Sequence, residues 1–326
     1  MRTGAELVRA TNPFAQEDRA RSWLMLGVST TLYLLAVAGA AFAPAWGFRL
    51  GCSVLAALMI LRLFMFYHDY LHGAQFGTSP VARRFFTVLG LWVLNPSSVW
   101  RQTHDYHHKH TARILGASIG SYPVATLDIW GQMSRVQRLG YRLIRSPLNM
   151  MLGYVTVFAL GMCLRPFVRN PRQHPDGALA LGLHGLVVAA LGYFGSLELA
   201  LFTVVLPLAL ACAAGSYLFY VQHNFPDMKL RGRAEWEYTF AALRSSSMMD
   251  LSPLLHWFTG NIGFHHVHHL NHRIPFYRLP EAMAALPELQ TPARSSLRPA
   301  DIRAALGLAL WDGRADRMLA WHEIPG

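Results

Sequence analysis

The stretch G-N-I-G-F-H-H-V-H-H-L-N-H-R-I-P-F-Y-R-L, residues 260–279, packs five histidines into eight positions: His265, His266, His268, His269 and His272. On a helix, His265, His268 and His269 stand at i, i+3 and i+4, so three imidazoles share one face. Imidazole is the commonest side-chain metal ligand, and three on one face suit a metal better than an apolar core. The bland alternative is a histidine-rich surface patch. Upstream, His104, His107 and His108 repeat the same spacing, and His68 and His72 stand at i and i+4. His223 follows the last long apolar run.

Composition says where such a cluster sits. Of 326 residues, 53% are hydrophobic and only 14% charged, and the mean hydropathy is +0.24. A soluble chain of this length carries more charge, so long apolar runs read as membrane spans. The net charge is +11, almost all of it arginine, with Lys109 and Lys229 the only lysines. These arginines flank apolar runs, which favours anchoring at a membrane face over binding nucleic acid. Cys52, Cys163 and Cys212 lie inside apolar runs without C-x-x-C pairing, which argues against disulfides and cysteine-held metal.

Four spans are expected, at residues 22–43, 47–67, 177–194 and 197–221. Each is long enough to cross roughly 30 Å of hydrocarbon as a helix. Arg62, near the end of the second, is expected to snorkel to the interface. The run 81–94 is too short to cross and reads as interfacial. If all histidine clusters share one site, the number of crossings between them is even. The run 148–164 is the shortest and has arginines on both sides, so it reads as interfacial or re-entrant. His184, inside the third span, has two readings, a functional intramembrane histidine or a partner in helix packing, and Pro207 is read as kinking the fourth. The expected fold is all-α and integral to the membrane: four transmembrane helices, interfacial helices and a cytoplasmic histidine-rich cap. Its parts are a cytoplasmic N-terminal segment (1–21), a membrane domain with the metal-bearing cap (22–279) and a cytoplasmic C-terminal tail (280–326).

His68, His72, His104, His107, His108, His223, His265, His268 and His269 exceed what one metal can use. Over two metals they give four or five nitrogens each, with room for an exogenous ligand. A nitrogen-only set with open positions points to redox-active iron that meets dioxygen. Asp69 and Asp105, each beside a histidine of the set, are candidates for orienting an imidazole, against the alternative of solvated turns.

H-D-Y-L-H-G (68–73), H-D-Y-H-H (104–108), F-Y-V-Q-H-N-F (219–225) and W-F-T-G-N-I-G-F-H-H-V-H-H-L (257–270) together resemble the membrane fatty acid desaturases, most closely their bacterial and cyanobacterial acyl-lipid branch. The trailing R-I-P-F-Y-R-L (273–279) resembles that branch as well. The resemblance implies that the nine histidines bind a non-haem diiron centre. With O2 as co-substrate, the centre removes two hydrogens from an acyl chain and leaves a cis double bond. It also implies an acyl-lipid, acyl-CoA or acyl-carrier-protein substrate and a separate electron donor of the ferredoxin type. The bacterial inner membrane is the implied location, with both termini and the metal site cytoplasmic.

There are two departures. The stearoyl-CoA branch has a water-holding asparagine four residues before the histidine matched by His223, and here that position is Phe219. Asn261, four before His265, is the candidate for that role on the same helical face. Pro226 stands where relatives often have an acidic residue, with Asp227 next to it. His110, His266 and His272 fall off the ligand faces. Phe64, Phe66, Trp100 and Trp257 are candidates for lining an acyl tunnel, against plain helix packing. Other readings stay open: acyl or carotenoid hydroxylation or ketolation on the same ligands, or a non-catalytic metal-binding membrane protein.

Overall fold

Two antiparallel helical hairpins form the membrane part of the computed structural model, which describes residues 2–114 and 121–324. The terminal segments expected at 1–21 and 280–326 reach Met1 and residues 325–326, which lie outside the described residues. Helix α1 (Arg19–Phe42) starts where the Asp18 side chain accepts the Arg21 N–H, a standard cap for an orphan donor. It ends before Pro44, and α2 (Trp46–Leu71) runs back along it. The two approach closely at small residues: a Cβ on Gly39 would stand 2.5 Å from Cys52 Sγ. Small residues allow this contact where lipid offers helices no hydrophobic drive to associate. Leu24, Leu34, Leu35 and Phe42 point outward, as a lipid-facing surface requires.

Between the hairpins, α3 (Pro80–Trp92) exposes Val81 and Val88, and α4 (Ser97–His110) carries the second histidine group. The second hairpin is α5 (Pro175–Phe194) and α6 (Leu197–Gln222). Pro207 has no N–H for the Thr203 carbonyl, and the turn before it widens to π geometry over Leu201–Val205. Of the helices among the described residues, α1, α2, α5 and α6 are long and apolar enough to cross a membrane.

The run expected to be interfacial or re-entrant forms helical turns over 147–169, with π geometry over Tyr154–Leu164. Its two ends lie on the same side. Just before it, Arg145 Nη2 donates to Asn224 Oδ1 (2.6 Å), beyond the end of α6. Near its far end, Cys163 Sγ donates to Leu94 O (3.3 Å), and a Cβ on Gly177, in the first turn of α5, would stand 2.5 Å from Cys163 O. Its middle goes deeper. Tyr154 hydrogen-bonds His184, about 13 Å along α5 from its start. The intramembrane histidine is therefore a helix-packing partner.

Arg62 corrects the snorkelling expectation. It is 2% exposed, donates from Nε to Ser29 Oγ (2.9 Å) and from Nη1 to Trp257 O, and lies 3.9 Å from the Trp257 ring centroid. Helix α2 continues well past Arg62, and a short helix, α7 (Pro253–Phe258), packs over it, so the guanidinium has no route to water.

The cap holds α8 (His265–Leu270) and two small sheets that the sequence reading lacked. Strands β1 (Ala125–Thr126) and β2 (Met248–Asp250) pair in parallel with β4 (Leu308–Asp312) and β3 (Arg294–Ser296). Strand β5 (Arg317–Ala320) returns antiparallel to β4. The N-terminal segment also lies on the cap: Asn271 Nδ2 donates to Thr11 Oγ1 (2.8 Å), and Tyr277 OH accepts the Asp18 N–H (2.9 Å).

Candidate metal centre

Helix α2 delivers His68 in its last turn and His72 at its C-cap. Helix α4 delivers His104, His107 and His108, α8 delivers His265, His268 and His269, and His223 caps α6. All nine come together, in two sets. His68, His72, His104, His108 and His268 offer nitrogens within 4.8 Å of one another, and His107, His223, His265 and His269 do the same. Each three-histidine helix serves both sets. The i, i+4 pair His104/His108 joins the first while His107 turns to the second; on α8 the pair His265/His269 joins the second and His268 the first. The sets adjoin, with the His108 and His269 rings stacked at 4.3 Å.

The geometry fits metal ions. Nε2–Nε2 separations are 3.2 Å for His68–His104, 3.0 Å for His104–His108, 3.1 Å for His108–His268, 3.0 Å for His107–His223 and 2.8 Å for His223–His265. Adjacent ligands on an ion with bonds of about 2.1 Å at right angles stand about 3.0 Å apart. His72 Nε2 and His269 Nε2 are buried without a hydrogen-bond partner, and a metal would satisfy such orphans. Burial, the largest cause, and the neighbouring imidazoles hold His72, His104, His107, His108, His265, His268 and His269 well below their ordinary 6.5. Burial pushes His223 down to about 4, against the opposing pull of the Ser245 carbonyl. Neutral imidazole is the form that binds a metal.

The surrounding shell is partly the expected one. Asp69 Oδ1 accepts from His68 Nδ1 (3.0 Å), while Oδ2 accepts from Gln75 Nε2 and the Phe276 N–H, both at 2.7 Å. Asp105 is different: it is exposed on the outer face of α4, and its carboxylate accepts no hydrogen bond among the described residues. Asn261 is not on the helix of His265. Gly260 and Asn261 take φ of 53° and 54°, ending α7, and Asn261 Nδ2 donates to Phe276 O (3.2 Å). It holds the loop behind the site.

His266 points away, with Nε2 donating to Leu289 O (3.0 Å), and His110 stacks on Tyr106 at 3.8 Å. His272 lies nearer than its spacing suggests, 4.6 Å from the His72 ring. Trp100 stacks on His104 at 4.2 Å, whereas Phe66 packs on Phe76 and Phe276, and Trp257 packs on Arg62. Phe64 packs against the helix core, tilted 6.0 Å from the Tyr67 ring. Phe219 fills space 5.1 Å from His107. Gln75, Ser245 and Tyr238, whose hydroxyl donates to His269 O (2.6 Å), were missed, because nothing in local spacing marks contacts made across the fold. A cavity of about 220 Å³ reaches His107 and His223, walled by Ala112, Val124, Met228 and Leu230 among others.

The fatty acid desaturase family model matches residues 44–299. The chain is 30% identical over 278 residues to a fatty acid desaturase of Bacillus subtilis, spanning 84% of this chain and 78% of that one. It is 24% identical over 203 residues to an sn-1 oleoyl-lipid 12-desaturase of Synechocystis sp., spanning 60% of this chain and 56% of that one. An sn-1 oleoyl-lipid 12-desaturase of Anabaena variabilis is 21% identical over 282 residues, spanning 84% and 78%.

Proposed function

The chain belongs to the fatty acid desaturase family, and from that premise we propose that it desaturates acyl chains carried on membrane lipids, using two iron ions held by the nine histidines. The observation that carries this reading is the convergence of eight buried imidazoles and the half-buried His223 into sets of five and four. His68, His72, His104, His108 and His268 would hold one ion, and His107, His223, His265 and His269 the other. Bound there, the irons would supply activation of dioxygen and the oxidising power to take two hydrogens from adjacent methylenes, chemistry that no side chain provides.

The protein's own part is positioning. Asp69 accepts a hydrogen bond from His68 Nδ1–H and so leaves Nε2 facing inward, as the Ser245 carbonyl does for His223. The largely apolar wall of the cavity at His107 and His223 suits methylenes and excludes water. The relatives named for sn-1 oleoyl-lipid support a glycerolipid-linked chain. We place the protein in the bacterial inner membrane with the cap cytoplasmic, where a separate reduced carrier supplies the electrons.

The test is expression in a host that makes only saturated and monounsaturated chains, with a competent ferredoxin, followed by double-bond mapping of its lipids. New unsaturation is expected, and none from His268→Ala. Full activity in that variant, or products that gain an oxygen in place of losing two hydrogens, would overturn the proposal.

A further inference from the structure

The two histidine sets differ in how they meet the outside. The four-histidine set is reached by a largely apolar cavity at His107 and His223, with Arg113 in its wall. All five imidazoles of the other set are buried. Against that five-histidine set lies His272, half-buried, its ring 4.6 Å from His72 and 5.2 Å from His108. Electron transfer slows steeply with distance, so a side chain that touches both surface and ligand shell marks the short way in. The charges around it are mostly positive. Lys109 and Arg273 are exposed and close enough to act on the His272 ring, together with the exposed Asp105. Arg101 and Lys109 lie two turns apart on the outer face of α4, with Asp105 between them. Lys109, Arg273 and Asp105 therefore surround the imidazole, and Arg101 adds a cation two turns along the same helix.

We propose that this face, His272 flanked by Lys109 and Arg273, docks the electron donor, a small acidic one-electron carrier of the ferredoxin class, and that electrons enter at the five-histidine set. The proposal rests on the desaturase reading above. Each docking oxidises the carrier by one electron and reduces one metal ion by one. Two such transfers, two protons from solvent and the two substrate hydrogens together reduce dioxygen to two waters, leaving the double bond. Substrate and carrier then use different approaches and need not displace each other. Opposite charge on the two partners would speed their encounter and make it sensitive to salt.

The experiment uses the iron-loaded full chain in lipid nanodiscs, with a reduced [2Fe–2S] ferredoxin as the carrier. Carrier affinity is measured directly, and anaerobic reduction of the iron is followed with the carrier or with reduced methyl viologen. The double variant Lys109→Glu/Arg273→Glu is expected to weaken carrier affinity and slow carrier-driven reduction about tenfold, while viologen-driven reduction is not slowed. Arg172→Glu, an exposed arginine outside this face, should match the parent. His272→Leu should keep the carrier affinity and slow the carrier-driven step alone. Unchanged affinity and carrier-driven rate in the double variant would overturn the docking surface, and an unchanged rate in His272→Leu would overturn the route. Iron content checks that each variant retains its centre. If the viologen-reduced parent forms no unsaturated product in air, the desaturase reading fails instead.

Discussion

Asp69 is the residue on which three parts of the site meet: the first histidine pair, the Gln75 turn and the loop after the third histidine group. Its two oxygens only accept, and all three of its partners can donate. An amide in its place keeps the shape but presents an NH2 group to one side, so either His68 or the pair Gln75 and Phe276 faces a donor. Asp69→Asn is therefore expected to lower iron affinity by about 10- to 100-fold and to cut desaturation with it. Iron titration of the purified protein measures this, and an affinity within a factor of about two of the parent would refute the role. Asp105 sits in the same H-D-Y context one group later, yet it is exposed. The local sequence cannot separate the two. Asp69 has the 276 loop packed against it, whereas the outer face of α4 leaves Asp105 exposed among the described residues. The nine histidines were legible because helical spacing alone puts them on common faces; what backs each one depends on contacts between distant segments.

At the scale of elements, the third histidine group is aimed by a break in the chain. Helix α7 ends at Phe258, and two consecutive left-handed residues, Gly260 and Asn261, swing the chain into α8. Gly260 is required twice over. Its φ of 53° disfavours a side chain, and a Cβ there would stand 2.7 Å from Met65 Cβ on α2. Gly260→Ala adds left-handed strain of about 1–2 kcal/mol to overpacking of about 1–3 kcal/mol. It should lower the unfolding temperature and, by pushing α8 away from α2, release iron. Differential scanning fluorimetry with iron analysis tests both; unchanged melting and full iron occupancy would refute this account of the break. The long helices were readable from length and apolar content. The strands were not, since β1 to β5 are two to five residues long and β1 finds its partner β4 far away in sequence. The helical reading of Asn261 failed for a related reason: a glycine–asparagine pair tolerates left-handed backbone, and that outweighed the histidine periodicity beside it.

For the whole molecule, burial of so many imidazoles links stability to pH, and the crossing count links the site to the membrane. In the metal-free protein the folded state resists protonation of these histidines, while the unfolded chain takes up protons near 6.5. Unfolded chain then binds more protons on acidification, so stability is fully present above about pH 6.5 and is lost as the pH falls below it. For His223 the loss continues down to about 4. Metal-free protein in detergent should melt at a lower temperature at about pH 5 than at about pH 7.5; equal melting would contradict the burial. The second argument concerns sides. Each histidine set mixes residues from α2, from α4 or from the end of α6 with residues of α8, so all of these ends face one compartment. That requires an even number of crossings between His108 and His223, which α5 and α6 supply only if 147–169 enters and leaves on the cap side. Its end contacts, Arg145 with Asn224 and Cys163 with Leu94, and its deeper middle at Tyr154 and His184 agree with that. With the cap cytoplasmic, a cysteine placed at Ala45 or Ser196 in a chain lacking the native cysteines should react with an impermeant maleimide added outside intact cells. One placed at Asn170 should react only after permeabilisation. Labelling of Asn170→Cys from outside would mean that this segment crosses, and the four-span arrangement would be wrong.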